Sequence, residues 1–343
     1  SEASWPVTLY RITYETVDPF GLPILASGAV FVPQGLAEPM PLLSYQHGTE
    51  VYKKEAPSAA LPQYNYNELG VFYASSGYVT LMPDYLGLGE SPGLHPWLHA
   101  KSEATAIVDM LRAVQAFRSE IDVMTNSDLF LVGFSQGGHS TVAAHREIEM
   151  HHSDEFTVTA SAPMAGPYDL SGSINYVLNN RDYPVPFNLA YIVAAWFPIY
   201  EFADTLEELF RSPYHETLLS RLDGLHDYES TVSQMAPDLE RAFKKEFLDA
   251  LRNEPDHPFW LAARENDLLD WKPEAPMRIY HCQGDENVPY RNAVLAQKSY
   301  TDNGACCVEL IDPTTSGSWG HGRCAWPSFR DAKAWFDGLR TEE

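Results

Sequence analysis

The residues of this chain best placed to do chemistry fall in one short run, Gly133-Phe134-Ser135-Gln136-Gly137-Gly138. It reads G-x-S-x-G followed by one more glycine. An apolar stretch, Leu129 to Val132, precedes it, and a helical pattern from His139 to Arg146 follows. A strand, a tight glycine-flanked turn and a helix push a serine hydroxyl out at the edge of a sheet. Glycines are required because a Cβ would collide with the crossing strand and helix. The helix aims its N-terminal amides at the place where negative charge would develop. The chemistry implied is nucleophilic attack by Ser135.

A serine hydroxyl is a poor nucleophile at neutral pH. It needs a base within hydrogen-bond reach, and the base needs an orienting carboxylate. On a sheet that presents serine in this way, the chain order is serine, acid, histidine. Met277 to Cys282 predicts a strand that runs into Gln283-Gly284-Asp285-Glu286-Asn287-Val288-Pro289, with the next helix starting at Val288-Pro289. Asp285 is the expected acid, Glu286 is its rival, and Asp312 is a further alternative. The expected base is His321, in the glycine-rich stretch Ser316 to Gly322, read as a loop after a strand over Val308 to Ile311. It alone among the 12 histidines has this order and context. His281 reads as interior to a strand, His139 and His145 as helix residues, and His151 and His152 as a solvent-facing helix end. Two backbone amides should hold the oxyanion. One is that of Gln136; the other follows a strand over Leu42 to Tyr45, at Thr49 with Gly48 next.

Composition narrows the partners. The chain has 343 residues, of which 45% are hydrophobic, enough for a large core. Lys and Arg number 23 against 47 Asp and Glu, a net charge of −24. Phosphate would be repelled, so no nucleic acid is expected. No apolar run approaches a membrane span, so a soluble chain without stable membrane insertion is expected. The opening at Ser1 is one that a removed signal peptide or a trimmed terminus would leave. No H-E-x-x-H, EF-hand or zinc spacing is present, so neither metal nor cofactor is expected. Of the four cysteines, Cys306 and Cys307 are adjacent, and one of them pairing with Cys324 is weighed against four free thiols, Cys282 included.

These residues need a scaffold. Pro6 to Gln34 alternates as two strands around the turn Asp18-Pro19-Phe20-Gly21. Beyond it, strands and helices alternate. Strands are expected at Leu42–Tyr45, Tyr78–Met82, Leu129–Val132, Phe156–Ser161, Met277–Cys282 and Val308–Ile311. Helices are expected at Tyr64–Ser75, Ala100–Phe117 and Ala325–Leu339. The class is α/β, a mostly parallel central sheet with helices on both faces. Between Pro167 and Pro276 the alternation stops and several helices follow, so residues 168–275 read as a helical cap inserted into a core of 1–167 and 276–343. Asp84-Tyr85-Leu86-Gly87-Leu88-Gly89-Glu90-Ser91 lacks the P-loop lysine and reads as a tight loop lining a pocket. The pocket is expected to draw on His47, Tyr85, Phe134 and Trp196. The cap aromatics Phe187, Tyr191, Phe197 and Tyr200 are further candidates, with plain helix packing as the alternative for each.

Together, Gln46-His47-Gly48-Thr49, the Asp84–Ser91 run, the Gly133–Gly138 turn, Gly284-Asp285 with Val288-Pro289, and Gly320-His321 resemble the α/β-hydrolase superfamily over nearly the whole chain. Within it, the helical cap and Asn266 with Trp271-Lys272-Pro273 look most like bacterial relatives of the secretory lipases of the fungal lipase-A type. The resemblance implies an α/β-hydrolase fold, hydrolysis of small-molecule carboxylic esters through an acyl-enzyme, and a secreted or periplasmic location. A moderate apolar pocket suggests short- to medium-chain acyl esters. Longer acylglycerols, peptide or amide bonds, acyl transfer, or a non-catalytic binding role on the same fold are the alternatives.

Overall fold

The computed structural model describes residues 5–59, 66–121, 123–314 and 319–341. Strands β1 (Val7–Val17) and β2 (Pro23–Pro33) form an antiparallel hairpin. Its turn is held by Asp18, whose Oδ1 accepts the backbone N–H groups of Phe20 and Leu22. Then come β3 (Met40–Gln46), α1 (Tyr66–Ala74), β4 (Val79–Pro83), α2 (Ala100–Phe117), β5 (Thr125–Phe134), α3 (Gln136–His151) and β6 (Ala160–Met164). The chain closes with β7, β8 and their helices after a helical insertion described below.

The eight strands lie in the order β1-β2-β4-β3-β5-β6-β7-β8, with β7 at Met277–Tyr280 and β8 at Val308–Ile311. β1 and β2 are antiparallel to their neighbours and all other pairs are parallel. The central strands read as apolar runs because both faces are covered. Along β5 the side chains alternate. Leu129 and Leu131 pack with Ile107, Leu111 and Ile148 of α2 and α3. Phe130 and Val132 pack on the other face with Tyr73 of α1 and with Phe329 and Phe336 near the C-terminus.

The chain leaves β3 toward β4 on one side and crosses back to β5 on the other. Ligands of open α/β sheets bind beyond the carboxyl ends of the strands at such a reversal. Gln46 at the end of β3 pairs with Gly133 near the end of β5. The Gln46–Thr49 and Gly133–Gly138 segments therefore emerge side by side.

Between β6 and β7 the described chain runs through α4 (Leu170–Asn179), α5 (Phe187–Trp196), α6 (Leu206–Leu209), α7 (Tyr214–Arg221), α8 (Tyr228–Ser233), α9 (Leu239–Ala242), α10 (Lys245–Asn253) and α11 (Pro258–Glu265). They share a hydrophobic cluster centred on residues such as Tyr191, Trp196, Phe210, Phe243 and Phe259, which Trp97 and Leu98 join from the core. After β7 come α12 (Arg291–Asp302), β8 and α13 (His321–Asp337).

Three expectations shift. The strand read at Phe156–Ser161 lies at Ala160–Met164, because parallel pairing with β5 starts at Ala160, and Phe156 and Val158 are buried ahead of it. The helix read from Val288-Pro289 starts at Arg291. The closing helix starts at His321, four residues before the expected Ala325; Gly320, Gly322 and the internal Pro327 give its first turns a loop-like composition. Residues 64–65 of the helix read at Tyr64–Ser75, and 316–318 of the glycine-rich stretch, lie outside the described residues.

The close seating of α3 on β3 is testable. A Cβ on Gly137 would lie 1.9 Å from the carbonyl oxygen of Gln46, a backbone atom with no freedom to move aside. Gly137→Ala should destabilise the fold by about 3 kcal/mol or more, seen as a lower urea midpoint at unchanged slope. A loss under about 1 kcal/mol would contradict the close approach.

Candidate active site

Ser135 sits at the turn between β5 and α3 with φ 62° and ψ −120°. A non-glycine residue at positive φ is strained and persists only where its surroundings hold it. Here its N–H donates to the carbonyl of Met164 at the end of β6 (2.9 Å), and its own carbonyl accepts from Gly138 N–H (2.9 Å). Gly133 and Gly138 are also in close contact, with Gly137 and Met164 backbone atoms respectively, where a Cβ would not fit. The hydroxyl is left at the crevice.

The structure brings the three sequence-expected residues together. His321 Nε2 lies 2.9 Å from Ser135 Oγ, and His321 Nδ1 lies 2.7 Å from Asp285 Oδ2. The carboxylate at Nδ1 fixes the tautomer: Nδ1–H donates to Asp285, and Nε2 is free to accept the serine proton. Asp285 Oδ1 accepts the N–H groups of Asn287 (3.0 Å) and Val288 (2.8 Å). Burial works to raise the Asp285 pKa, but hydrogen bonds from His281 and His321 outweigh it and hold the carboxyl well below its usual range. Glu286, the rival acid, instead accepts the backbone N–H of His321 at the start of α13 (3.0 Å). Asp312 is engaged with Thr314 and sits outside the chain of hydrogen bonds from Ser135.

Two features here escaped sequence reasoning. His281 lies just past β7, with Nε2 2.9 Å from Val288 O and 3.2 Å from Asp285 Oδ2. It faces two acceptors through one nitrogen, so Nε2 carries the proton and shares it with the same oxygen that holds His321. The other is a disulfide between Cys282 and Cys324, both fully buried. It joins the segment carrying Asp285 to the helix carrying His321. The expected partners of Cys324, Cys306 and Cys307, are exposed thiols before β8. That pairing is corrected: the Cys282 side chain at the end of β7 faces α13, whereas Cys306 and Cys307 face solvent.

Of the expected oxyanion residues, Gln136 and Thr49 border the same pocket, and Gly48 does not line it. Gln136 is the first residue of α3, where backbone N–H groups have no partner within the helix. Thr49 follows β3, and its Oγ1 accepts from Trp97 Nε1 (3.1 Å). Gly48 supplies the carbonyl that His47 Nδ1 meets at 2.7 Å.

The pocket is a cavity of about 280 Å³ with Ser135, Gln136, Thr49 and His321 at its floor. Its walls are mainly aliphatic: Leu170, Ile174 and Val177 of α4, Leu189 and Ile192 of α5, and Val288 and Pro289. Tyr183, Asn188 and Tyr228 add polar atoms. The four residues expected to bind substrate are not among those lining it. His47 is buried, its ring 4.3 Å from that of Tyr85. Tyr85 is buried and donates its hydroxyl to His47 O (3.2 Å). The Phe134 ring packs 4.8 Å from the His321 ring. Trp196 is wholly buried, its Nε1–H donating to Trp97 O (3.0 Å). The loop from Asp84 is likewise folded inward: Asp84 accepts hydrogen bonds from the hydroxyls of Ser27 and Ser58 and from Ser58 N–H. Of the large aromatics, Trp97, Tyr183 and Tyr228 reach the pocket, whereas His47, Tyr85 and Trp196 are spent on packing and hydrogen bonds inside. Among the described residues, no cluster of His, Cys, Asp or Glu could hold a metal, and no helix is long and apolar enough to cross a membrane.

With this geometry, comparison with known proteins is informative. A family model described as the alpha/beta hydrolase family matches residues 50–300. The chain belongs to the alpha/beta hydrolase family. No curated protein matches its sequence. Among solved structures, this hydrolase is similar to a candidate hydrolase from Legionella pneumophila at 27% identity and a TM-score of 0.90, over 99% of this chain and 90% of that one. It is equally similar in sequence, 27%, to the rice cell wall degrading esterase LipA of Xanthomonas oryzae, with a TM-score of 0.89 over 99% and 93% of the two chains. Candida antarctica lipase A, at 19% identity and a TM-score of 0.76 over 98% and 79%, shares the fold. The protein is thus an α/β hydrolase.

The buried histidine of the Gln46–Thr49 segment makes stability depend on pH. Burial lowers His47 from 6.5 to about 4, against the pull of hydrogen bonds to Gly48 and Asp84 carbonyls. Between these values the unfolded chain binds the proton and the folded chain does not, so stability rises with pH. The contribution is complete above about pH 6.5 and drains toward pH 4, by roughly 3 kcal/mol for this group. His99 shifts in the same direction, also by burial. Urea unfolding at pH 7, 5.5 and 4.5 should show the decline, and His47→Gln should flatten it. An unchanged slope in that variant would count against a neutral buried His47.

Proposed function

We propose that this hydrolase cleaves carboxylic esters of short to medium acyl chains through a covalent acyl-enzyme on Ser135. The observation that carries the reading is the chain of hydrogen bonds Ser135–His321–Asp285 at the floor of an apolar cavity. Ser135 Oγ attacks the ester carbonyl while His321 Nε2 takes its proton. Asp285 orients the imidazole and stabilises its charged form. The tetrahedral oxyanion sits against the backbone N–H groups of Gln136 and Thr49. His321 then protonates the leaving alcohol, activates water and releases the acid. No metal or cofactor is required for these steps.

The aliphatic walls from α4 and α5 suit an acyl chain. A volume of about 280 Å³ is at the small end of ligand pockets. The similar Xanthomonas oryzae protein is an esterase that degrades rice cell wall, which supports ester substrates here. In this reading, residues 168–275 act as a lid over the core formed by 1–167 and 276–343. The buried Cys282–Cys324 disulfide fits a secreted or periplasmic protein, since such bonds persist in oxidising compartments.

Mutation, labelling and substrate profiling test this. Ser135→Ala should lower kcat on p-nitrophenyl butyrate by about a millionfold with the fold intact; activity within tenfold of the parent refutes the nucleophile. A serine-directed phosphonate should label Ser135, and a binding protein or inert fold would leave it unlabelled. Across acyl lengths from acetate to palmitate, kcat/KM should peak between butyrate and octanoate and fall at least about tenfold by palmitate. A maximum at palmitate would instead indicate a lipase of long acylglycerols, and faster turnover of aminoacyl anilides than of esters a peptidase.

A further inference from the structure

A buried polar cluster lies against the first turn of α3. Its centre is Glu103 of α2, only 1% exposed. Glu103 Oε1 accepts from the side-chain amide of Gln136 (2.9 Å), and Oε2 meets His139 Nδ1 at 2.7 Å. One carboxylate therefore grips the start of the nucleophile helix at two points three residues apart. The second N–H of the Gln136 amide donates to His95 Nε2 (2.8 Å), while His95 Nδ1–H donates to Leu86 O (2.8 Å). With both donors used, Gln136 Oε1 is left buried without a hydrogen-bond partner. Flipping the amide would point that oxygen at the Glu103 carboxylate, so the orientation is set by Glu103 and His95 together.

His139 Nε2 faces the carbonyl of Asn266 at 3.1 Å, so the imidazole is held at both of its nitrogens, on one side by Glu103 and on the other by the chain after α11.

We propose that Glu103, with His95, is a positioning residue for the oxyanion hole: it clamps the Gln136 side chain and so holds the Gln136 backbone N–H on the oxyanion. The proposal rests on the ester-hydrolase reading above. The peptide that carries this N–H is already tied at its other end, since Ser135 O accepts from Gly138 and His139 N–H. The clamp on the side chain removes the remaining freedom at residue 136. A small displacement of a donor at this point is felt in the transition state, where charge develops, and little in the bound ester.

The test uses Gln136→Met, which keeps the backbone N–H and the side-chain length but loses both donors, and Glu103→Gln, which keeps one acceptor for Gln136. Active sites are counted by phosphonate titration of Ser135, so that a loss of folded protein does not register as a loss of rate. For Gln136→Met, kcat on p-nitrophenyl butyrate should fall by about tenfold to a hundredfold with KM within about twofold. Affinity for an alkyl trifluoromethyl ketone, whose serine adduct carries the oxyanion, should fall by the same factor as kcat/KM. Glu103→Gln should lose less, about threefold to tenfold, with the same parallel. A purely structural role predicts lower thermal stability with kcat per titrated site unchanged, and that result, or ketone affinity unmoved while kcat falls, overturns the proposal. If Gln136→Met does not fold, Glu103→Gln decides by the same criteria. A wild-type protein that neither cleaves the ester nor titrates with phosphonate overturns the ester-hydrolase reading and this proposal with it, whereas an active wild type with unaffected variants overturns this proposal alone.

Discussion

The site depends on the seating of the first turn of α3 against the end of β3. There the Gly137 Cα faces the carbonyl of Gln46 so closely that no side chain fits between. The contact sets the position of the whole Gly133–Gly138 turn relative to the Gln46–Thr49 segment. Within this turn Ser135 takes a positive φ, a conformation held by its hydrogen bonds to the Met164 carbonyl and the start of α3. Because β3 and β5 are adjacent and in register, the serine, the amide after it and the Thr49 loop are placed by a single backbone packing. Every other part of the site must come to this point.

The acid and base arrive from the far half of the sheet, along segments that are distant in sequence. Bringing such segments together has an entropic cost that local structure does not offset. The structure holds them with several ties. The Cys282–Cys324 disulfide links the Asp285 segment to α13. The Glu286 carboxylate takes the N–H of His321, an anion at a helix N-terminus where the dipole favours it. Phe134, next to the nucleophile, packs on the face of the imidazole. The base is thereby held on a helix rather than swinging on a loop, in keeping with the close tolerance that proton transfer demands.

What was legible in the sequence follows from how local each signal is. Ser135 is written in a steric rule spanning six residues, and the acid and base follow from chain order plus strand ends, so Asp285 and His321 stand where that order places them. The start of α13 was hidden because Gly320, Gly322 and Pro327 look like a loop. The Cys282–Cys324 pairing was not readable, since adjacency of Cys306 and Cys307 says nothing of which side chain faces inward. The pocket wall was misjudged for a physical reason. Phe187, Tyr191 and Trp196 of the insertion were natural candidates for an acyl site, yet packing buries them, and Leu170, Ile174 and Ile192 reach the cavity together with Tyr183 and Tyr228. Glu103 carries no local signature. Its partners Gln136 and His139 lie on another helix more than thirty positions away, and only the packing of α2 on α3 reveals the contact.

The distribution of charge ties these points together. The chain as a whole is strongly acidic, with a net charge of −24, and the proposed mechanism forms an oxyanion at its centre. The structure answers this by giving each carboxylate nearest the crevice its own donors. Asp285 has two imidazoles and two amides, Glu103 has His139 and Gln136, and buried Asp84 has two serine hydroxyls and an amide. An unpaired carboxylate in so apolar a setting would be costly to ionise and would repel the transition state. Paired, the same groups become rigid supports, and the low polarity of the cavity above them strengthens the pull of the two backbone amides on the developing charge. The buried carboxylates Asp84, Glu103 and Asp285 are thereby each matched by donors of their own.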